Sequence, residues 1–133
     1  MVDSIPQAPD IERAILGTCL SDWTLYQDIR EIISPDIFYL DRHKTIFEHC
    51  LKHEKPDMLL VSDSLQESGE IDNIGGSGYL ADLLVEATVT PDKYCEILKE
   101  KKIKRDVIKS AQTLLQKVND GDDCYSLMDD FSR

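Results

Sequence analysis

The chain has 133 residues, an apolar fraction of 41%, a charged fraction of 31% and a formal net charge of −11. That balance excludes a disordered chain, and no apolar run approaches the roughly 20 residues needed to cross a bilayer. The negative charge also argues against a chain that grips nucleic-acid phosphates by itself.

In chain order, residues 1–9 carry Pro6 and Pro9 and read as a flexible arm. MVDSIPQAPD lacks the basic start and apolar stretch of a signal peptide, so a cytoplasmic location is expected. A helix follows from Pro9 or Asp10, with Ile11, Ile15 and Cys19 on one face and Ala14, Leu16 and Leu20 widening it. Gly17 in its middle costs up to about 1 kcal/mol relative to Ala, which points to close approach of another helix. Asp22 caps the next helix, Trp23–Ile33, with Leu25, Ile29, Ile32 and Ile33 inward. After Ser34-Pro35-Asp36 comes an aromatic turn with Phe38 and Tyr39. Asp41 then caps a helix from Arg42 to His53 with Ile46, Phe47, Cys50 and Leu51 apolar. His43 at its start is expected to be buried and bonded to backbone, since no carboxylate partner is evident.

Lys55-Pro56-Asp57 is a turn, and Met58–Ser68 a helix with Leu60, Val61 and Leu65 inward, stopped at Gly69. Gly75-Gly76-Ser77-Gly78 leads to a short helix, Tyr79–Glu86, with Leu80, Leu83 and Leu84 inward. Here the glycines are expected to let two helices approach. Pro91–Asn119 reads as one long helix, with Thr90 as its cap and Asn119-Asp120-Gly121 as its stop. Its apolar residues fall on two adjoining stripes. Tyr94, Ile97, Leu98, Ile108 and Leu115 form one; Ile103, Val107, Ala111, Leu114 and Val118 form the other. A single core-facing helix needs only one, so the far half is expected to meet something else. Beyond Gly121, Tyr125, Leu127, Met128 and Phe131 suggest a second, shorter helix folding back as a hairpin. The pattern is all-α throughout: a globular helical head, residues 10–90, followed by the long helix and C-terminal helical hairpin, residues 91–133.

Residues 93–109 hold seven bases and three acids, a net of +4 that leaves the remainder at −15. Lys101, Lys102, Lys104 and Arg105 are therefore a candidate basic surface for an acidic partner, against the plainer reading of a solvated helix face. No chemistry-bearing motif emerges. The glycine run lacks the Lys-Ser/Thr pair of a P-loop, and G-x-G-x-x-G is absent. His49 and His53 at i, i+4 with Cys50 between them lack the remaining ligands of a zinc site. The four cysteines, Cys19, Cys50, Cys95 and Cys124, form no C-x-x-C pair and are expected to be reduced. No catalytic, cofactor-binding or metal-ligating residue is assigned.

An ordered set of residues resembles the N-terminal domain of DnaB-type replicative DNA helicases. It comprises Pro9, Glu12, Ala14, Ile15, Leu16, Gly17 and Leu20; then Phe38, Tyr39, His43, Ile46 and Phe47; then Pro56, Asp57, Leu65, Gly69, Ile71, Gly75, Gly76, Tyr79, Leu80 and Leu83. Tyr94, Ile97, Glu100, Lys101, Arg105 and Ile108 complete it. The likeness covers roughly residues 5–131. Arg13 replaces the Gln often found there, Lys44 replaces a common Arg, and DDCYSLMDDF is the least matched part.

The resemblance implies a collar domain whose hairpins pair into dimers, three of which form a ring, and which serves as the platform for primase. The −11 charge separately leads to an expectation of little direct DNA binding by this domain. ATP and magnesium are expected only for an ATPase domain beyond this chain, in an ATP-dependent 5'-3' helicase. Val107, Ala111, Leu114, Leu115, Val118, Tyr125, Leu127, Met128 and Phe131 become the expected subunit interface. Gly17, Phe38, His43, Phe47, Gly75, Gly76 and Tyr79 are expected to support the fold. Three other readings compete: the helicase-binding domain of a primase, a stand-alone acidic adaptor binding a replication protein, and a metal-dependent hydrolase built on the His/Cys set, which only stoichiometric bound metal would support.

Overall fold

Apolar residues recurring at intervals of three and four, cut by Asp, Pro and Gly, produce six α-helices and one 3₁₀ turn among the described residues. The computed structural model describes residues 4–121 together with Tyr125, Met128 and Asp129. The helices are α1 (Pro9–Ser21), α2 (Trp23–Ile32), α3 (Asp41–Cys50), α4 (Met58–Ser68), α5 (Ser77–Leu84) and α6 (Pro91–Asn119), with the 3₁₀ turn at Pro35–Ile37. No strand occurs among the described residues, and the all-α expectation holds.

The helix ends follow local chemistry. Asp22 accepts from the Leu25 N–H at 3.1 Å and Asp57 from the Leu60 N–H at 2.8 Å, so each caps its helix. Asp41 does not cap α3: it is the first helical residue, and Leu40 occupies the capping position without a side-chain bond. That helix ends at Cys50 rather than His53, and α5 runs from Ser77 to Leu84 rather than from Tyr79 to Glu86. Gly75 and Gly76 have φ of 103° and 81°, a left-handed backbone that side chains disfavour. The three atoms nearest to a Cβ on Gly75 all belong to Tyr79, in the helix that the turn itself leads into, and nothing lies within 4 Å of one on Gly76. The glycines are there for the turn, not for the helix–helix approach expected of them.

The chain divides into two compact units, Gln7–Lys102 and a second holding Ile103 onward with the residues up to Pro6. In the first, α1 packs on α2, α3 and α5, while α4 packs on α3 and α5. Ile15, Leu16, Ile29, Phe38, Ile46, Phe47, Leu65, Leu80 and Leu83 are sealed from solvent. The first turns of α6 add Cys95 and Leu98 to the same core. Leu60, expected inward, is 44% exposed, because Val61 and Leu65 already fill the inner face of α4. Gly17 meets α5, as its position in mid-helix suggested: a Cβ there would lie 2.0 Å from the Leu83 carbonyl oxygen.

Phe47 is fully buried, with its ring centroid 5.3 Å from that of Phe38. Phe47→Ala is expected to lower unfolding stability by about 3–5 kcal/mol, read as a reduced urea midpoint at unchanged m. An unchanged midpoint would put the ring outside the core.

Candidate interaction surface

Two kinds of polar or apolar surplus remain once the core is built. One is buried in the head; the other is exposed along α6.

The buried one begins at Glu12, which is 0% exposed although it is a carboxylate. It lies on the same arc of α1 as Ile15, Leu16 and Cys19, at i, i+3, i+4 and i+7, so the helix carries it inward. Its Oε2 accepts from the Tyr39 N–H at 2.7 Å, and its Oε1 lies 2.7 Å from His43 Nδ1. His43 Nε2 lies 2.6 Å from the Tyr79 hydroxyl, and the two rings stack with centroids 5.9 Å apart. A carboxylate only accepts, so Nδ1 carries the proton, and Nε2 of a neutral ring accepts from Tyr79. His43 is buried as expected, but its partners are side chains on α1 and α5, not backbone. The Glu–His–Tyr chain joins three helices of the head, α1, α3 and α5.

A second histidine is also enclosed. His49 contacts Ser64 Oγ at 2.6 Å and Glu70 Oε1 at 3.0 Å. The hydrogen bonds from His49 and then Ser68 hold the Glu70 carboxyl below the usual carboxylate range. The Ser–His–Glu order suggests nucleophilic catalysis, but Ser64 sits inside α4, where the backbone N–H groups serve the helix and none is left for an oxyanion. Among the described residues no group of three His, Cys, Asp or Glu side chains is placed to hold a metal ion. Cys19, Cys50 and Cys95 are buried free thiols, and burial pushes Cys19 well up and Cys50 to about 12. They stay protonated and unreactive near neutral pH.

The exposed surplus lies in the second unit. Ile103 and Val107 are each 62% exposed, Leu115 64% and Val118 48%. Ala111 is exposed and Leu114 half-buried. Beyond Gly121, Tyr125 and Met128 are helical and also exposed. Leu127 and Phe131 lie outside the described residues. A stripe of this kind on a helix that is otherwise charged is a surface without its cover.

The basic segment is partly spent within the chain. Lys102 Nζ lies 4.0 Å from Asp36 Oδ2, and Arg105 donates to the Pro6 carbonyl at 3.0 Å. Lys101 is half-buried and Lys104 exposed. Lys101 and Lys102 fall in the first unit and Lys104 and Arg105 in the second. No helix is long and apolar enough to cross a membrane among the described residues.

Residues 4–100 match the family model for the DnaB-like helicase N terminal domain. The replicative DNA helicase DnaB of Geobacillus stearothermophilus is 31% identical over 117 residues, 84% of this chain and 26% of that protein. The replicative DNA helicase DnaB of Rhodothermus marinus is 29% identical over 132 residues, 94% of this chain and 14% of that protein. In fold, the N-terminal domain of DnaB helicase from Mycobacterium tuberculosis superposes with a TM-score of 0.86 at 24% identity, covering 95% of this chain and 94% of that one. The chain spans about a quarter or less of the length of the two full helicases it matches, those of Geobacillus stearothermophilus and Rhodothermus marinus.

Proposed function

This chain belongs to the family of DnaB-like helicase N-terminal domains, and on that premise we propose that it is the oligomerisation and primase-docking domain of a replicative DNA helicase acting in the cytoplasm. The observation that carries the reading is the exposed apolar stripe of α6 from Ile103 to Val118. A helix in water gains nothing by showing such a stripe, and a second copy of the same stripe is its simplest cover. Two-fold pairing buries the same residues from both sides, and three such pairs close a ring. Tyr125 and Met128, with Leu127 and Phe131 beyond the described residues, extend that interface.

The domain contributes no catalytic group. Nucleotide hydrolysis and unwinding belong to the ATPase domain of the parent helicase, where ATP and magnesium bind. Its −11 charge leaves DNA contact to that domain as well. Primase is the partner of the assembled collar.

The test uses Val107 and Val118, which are exposed and so not needed by the chain's own core. The parent should sediment as a dimer or larger at high protein concentration. Val107→Glu with Val118→Glu should sediment as a monomer with its full helical circular dichroism, because a buried pair of carboxylates on each side of the seam is strongly disfavoured. A parent that stays monomeric overturns the proposal. So does a double variant that loses its helix signal, since those residues would then complete the chain's own fold.

A further inference from the structure

The head carries an open groove of about 390 Å³ between α2 and the start of α6. Leu25 and Ile32 of α2 and Val89 of the preceding loop supply its apolar wall. Asp28 and Glu31 of α2 and Asp92 in the first turn of α6 supply its rim, and no lysine or arginine lines it. The alternation has a simple origin: positions 25, 28 and 32 fall on one strip of α2, so the helix presents aliphatic and acidic groups side by side. Val89 is 88% exposed at the edge of this groove. None of the three carboxylates forms a salt bridge with a described residue. They are not grouped to hold a metal ion either.

We propose that this groove is a docking site for a basic, amphipathic peptide segment of a partner protein. The volume accommodates one or two large apolar side chains, not a whole helix face. Such a side chain enters between Leu25, Ile32 and Val89, and flanking lysines or arginines pair with Asp28, Glu31 and Asp92. The apolar insertion supplies most of the affinity. The rim supplies orientation and the rate of encounter, and it rejects acidic segments. Charge complementarity selects this occupant: a rim holding three acids and no base repels an acidic chain and attracts a cationic one.

The test measures fluorescence anisotropy of a labelled amphipathic leucine–lysine peptide at physiological salt, against a counterpart with glutamate for lysine. The whole chain should bind the basic peptide and not the acidic one. Glu31→Lys should weaken binding about tenfold or more, since it reverses a charge at the rim. Val89→Ser should weaken it by a smaller factor, and Asp63→Lys, an exposed position on α4, by less than about twofold. Glu31, Val89 and Asp63 are all exposed, so circular dichroism of the three variants should match the parent. Methyl signals of Leu25, Ile32 and Val89 should shift on titration. Equal weakening by Glu31→Lys and Asp63→Lys would reduce the effect to general attraction by an acidic protein and overturn the proposal. Absence of binding, or equal binding of the acidic peptide, overturns it too. If Glu31→Lys instead abolishes self-association of the chain, a second copy occupies the groove and the proposal falls.

Discussion

Gly17→Ala should destabilise the domain by about 3 kcal/mol or more, a large share of the roughly 5–15 kcal/mol that holds a domain of this size together. The sign is what makes the experiment decisive. Alanine is the better helix former by about 0.8–1 kcal/mol, so local propensity alone calls for a gain in stability. Tertiary packing calls for the opposite. The added Cβ would sit 2.0 Å from the Leu83 carbonyl oxygen, 3.0 Å from its carbon and 3.1 Å from the Ala87 nitrogen. All three are backbone atoms, so no side chain can rotate aside, and α5 must move away from α1. Gly78 is the matched control: it lies within α5 and nothing stands within 4 Å of a Cβ there. Gly78→Ala should be neutral or raise stability by up to about 1 kcal/mol. Thermal melts of the two variants beside the parent read the contrast directly. A Gly17→Ala melt at or above that of the parent would mean that α1 and α5 are not in this contact.

Glu12→Ala should cost about 3–5 kcal/mol, because it removes the charged partner of a buried group and leaves several polar atoms unmatched. The Tyr39 N–H loses its acceptor at 2.7 Å, and His43 Nδ1 loses its acceptor in a position with 0% exposure. His43 is sealed from bulk water in the folded state. Tyr79→Phe should be milder by comparison, about 1 kcal/mol, since it deletes one hydroxyl but keeps the ring stacked on His43. Urea unfolding of both variants gives the ranking, and a cycle with His43→Ala gives the coupling between Glu12 and His43. Equal losses for Glu12→Ala and Tyr79→Phe, or a coupling near zero, would show that the buried network does not act as drawn.

The polar members of this network were within reach of a periodicity argument that goes one step further than apolar counting. Glu12 precedes Ile15, Leu16 and Cys19 by three, four and seven residues, and His43 precedes Ile46, Phe47 and Cys50 by the same intervals. A polar residue that keeps the register of an apolar face goes inside with it, and must find a partner there. Tyr26 follows the same rule: it lies three residues before Ile29 and seven before Ile33, it is fully buried, and its hydroxyl donates to the Cys50 carbonyl at 2.8 Å. What no spacing argument reaches is which inward carboxylate meets which inward histidine, since Glu12 and His43 are far apart in the chain.

By itself the sequence determined the all-helical class and the full extent of α6, because a run of strong helix formers bounded by Pro91 and Gly121 leaves the backbone little choice. It also determined the family, through residues held in order from Pro9 to Ile108, and the surplus of apolar residues on the far half of α6. Other matters depended on contacts between segments distant in the chain, which local rules do not contain. Packing against α5 made Gly17 a steric necessity, and the inward turn of α1 and α3 made partners of Glu12 and His43. The fold brought α2 and the beginning of α6 together at a groove walled by residues with no common motif. The tertiary structure also divided α6 in two: Cys95 and Leu98 go to the core of the head, while Val107, Leu115 and Val118 remain in solvent. Both stretches have helical periodicity, and only the presence or absence of a packed neighbour tells them apart.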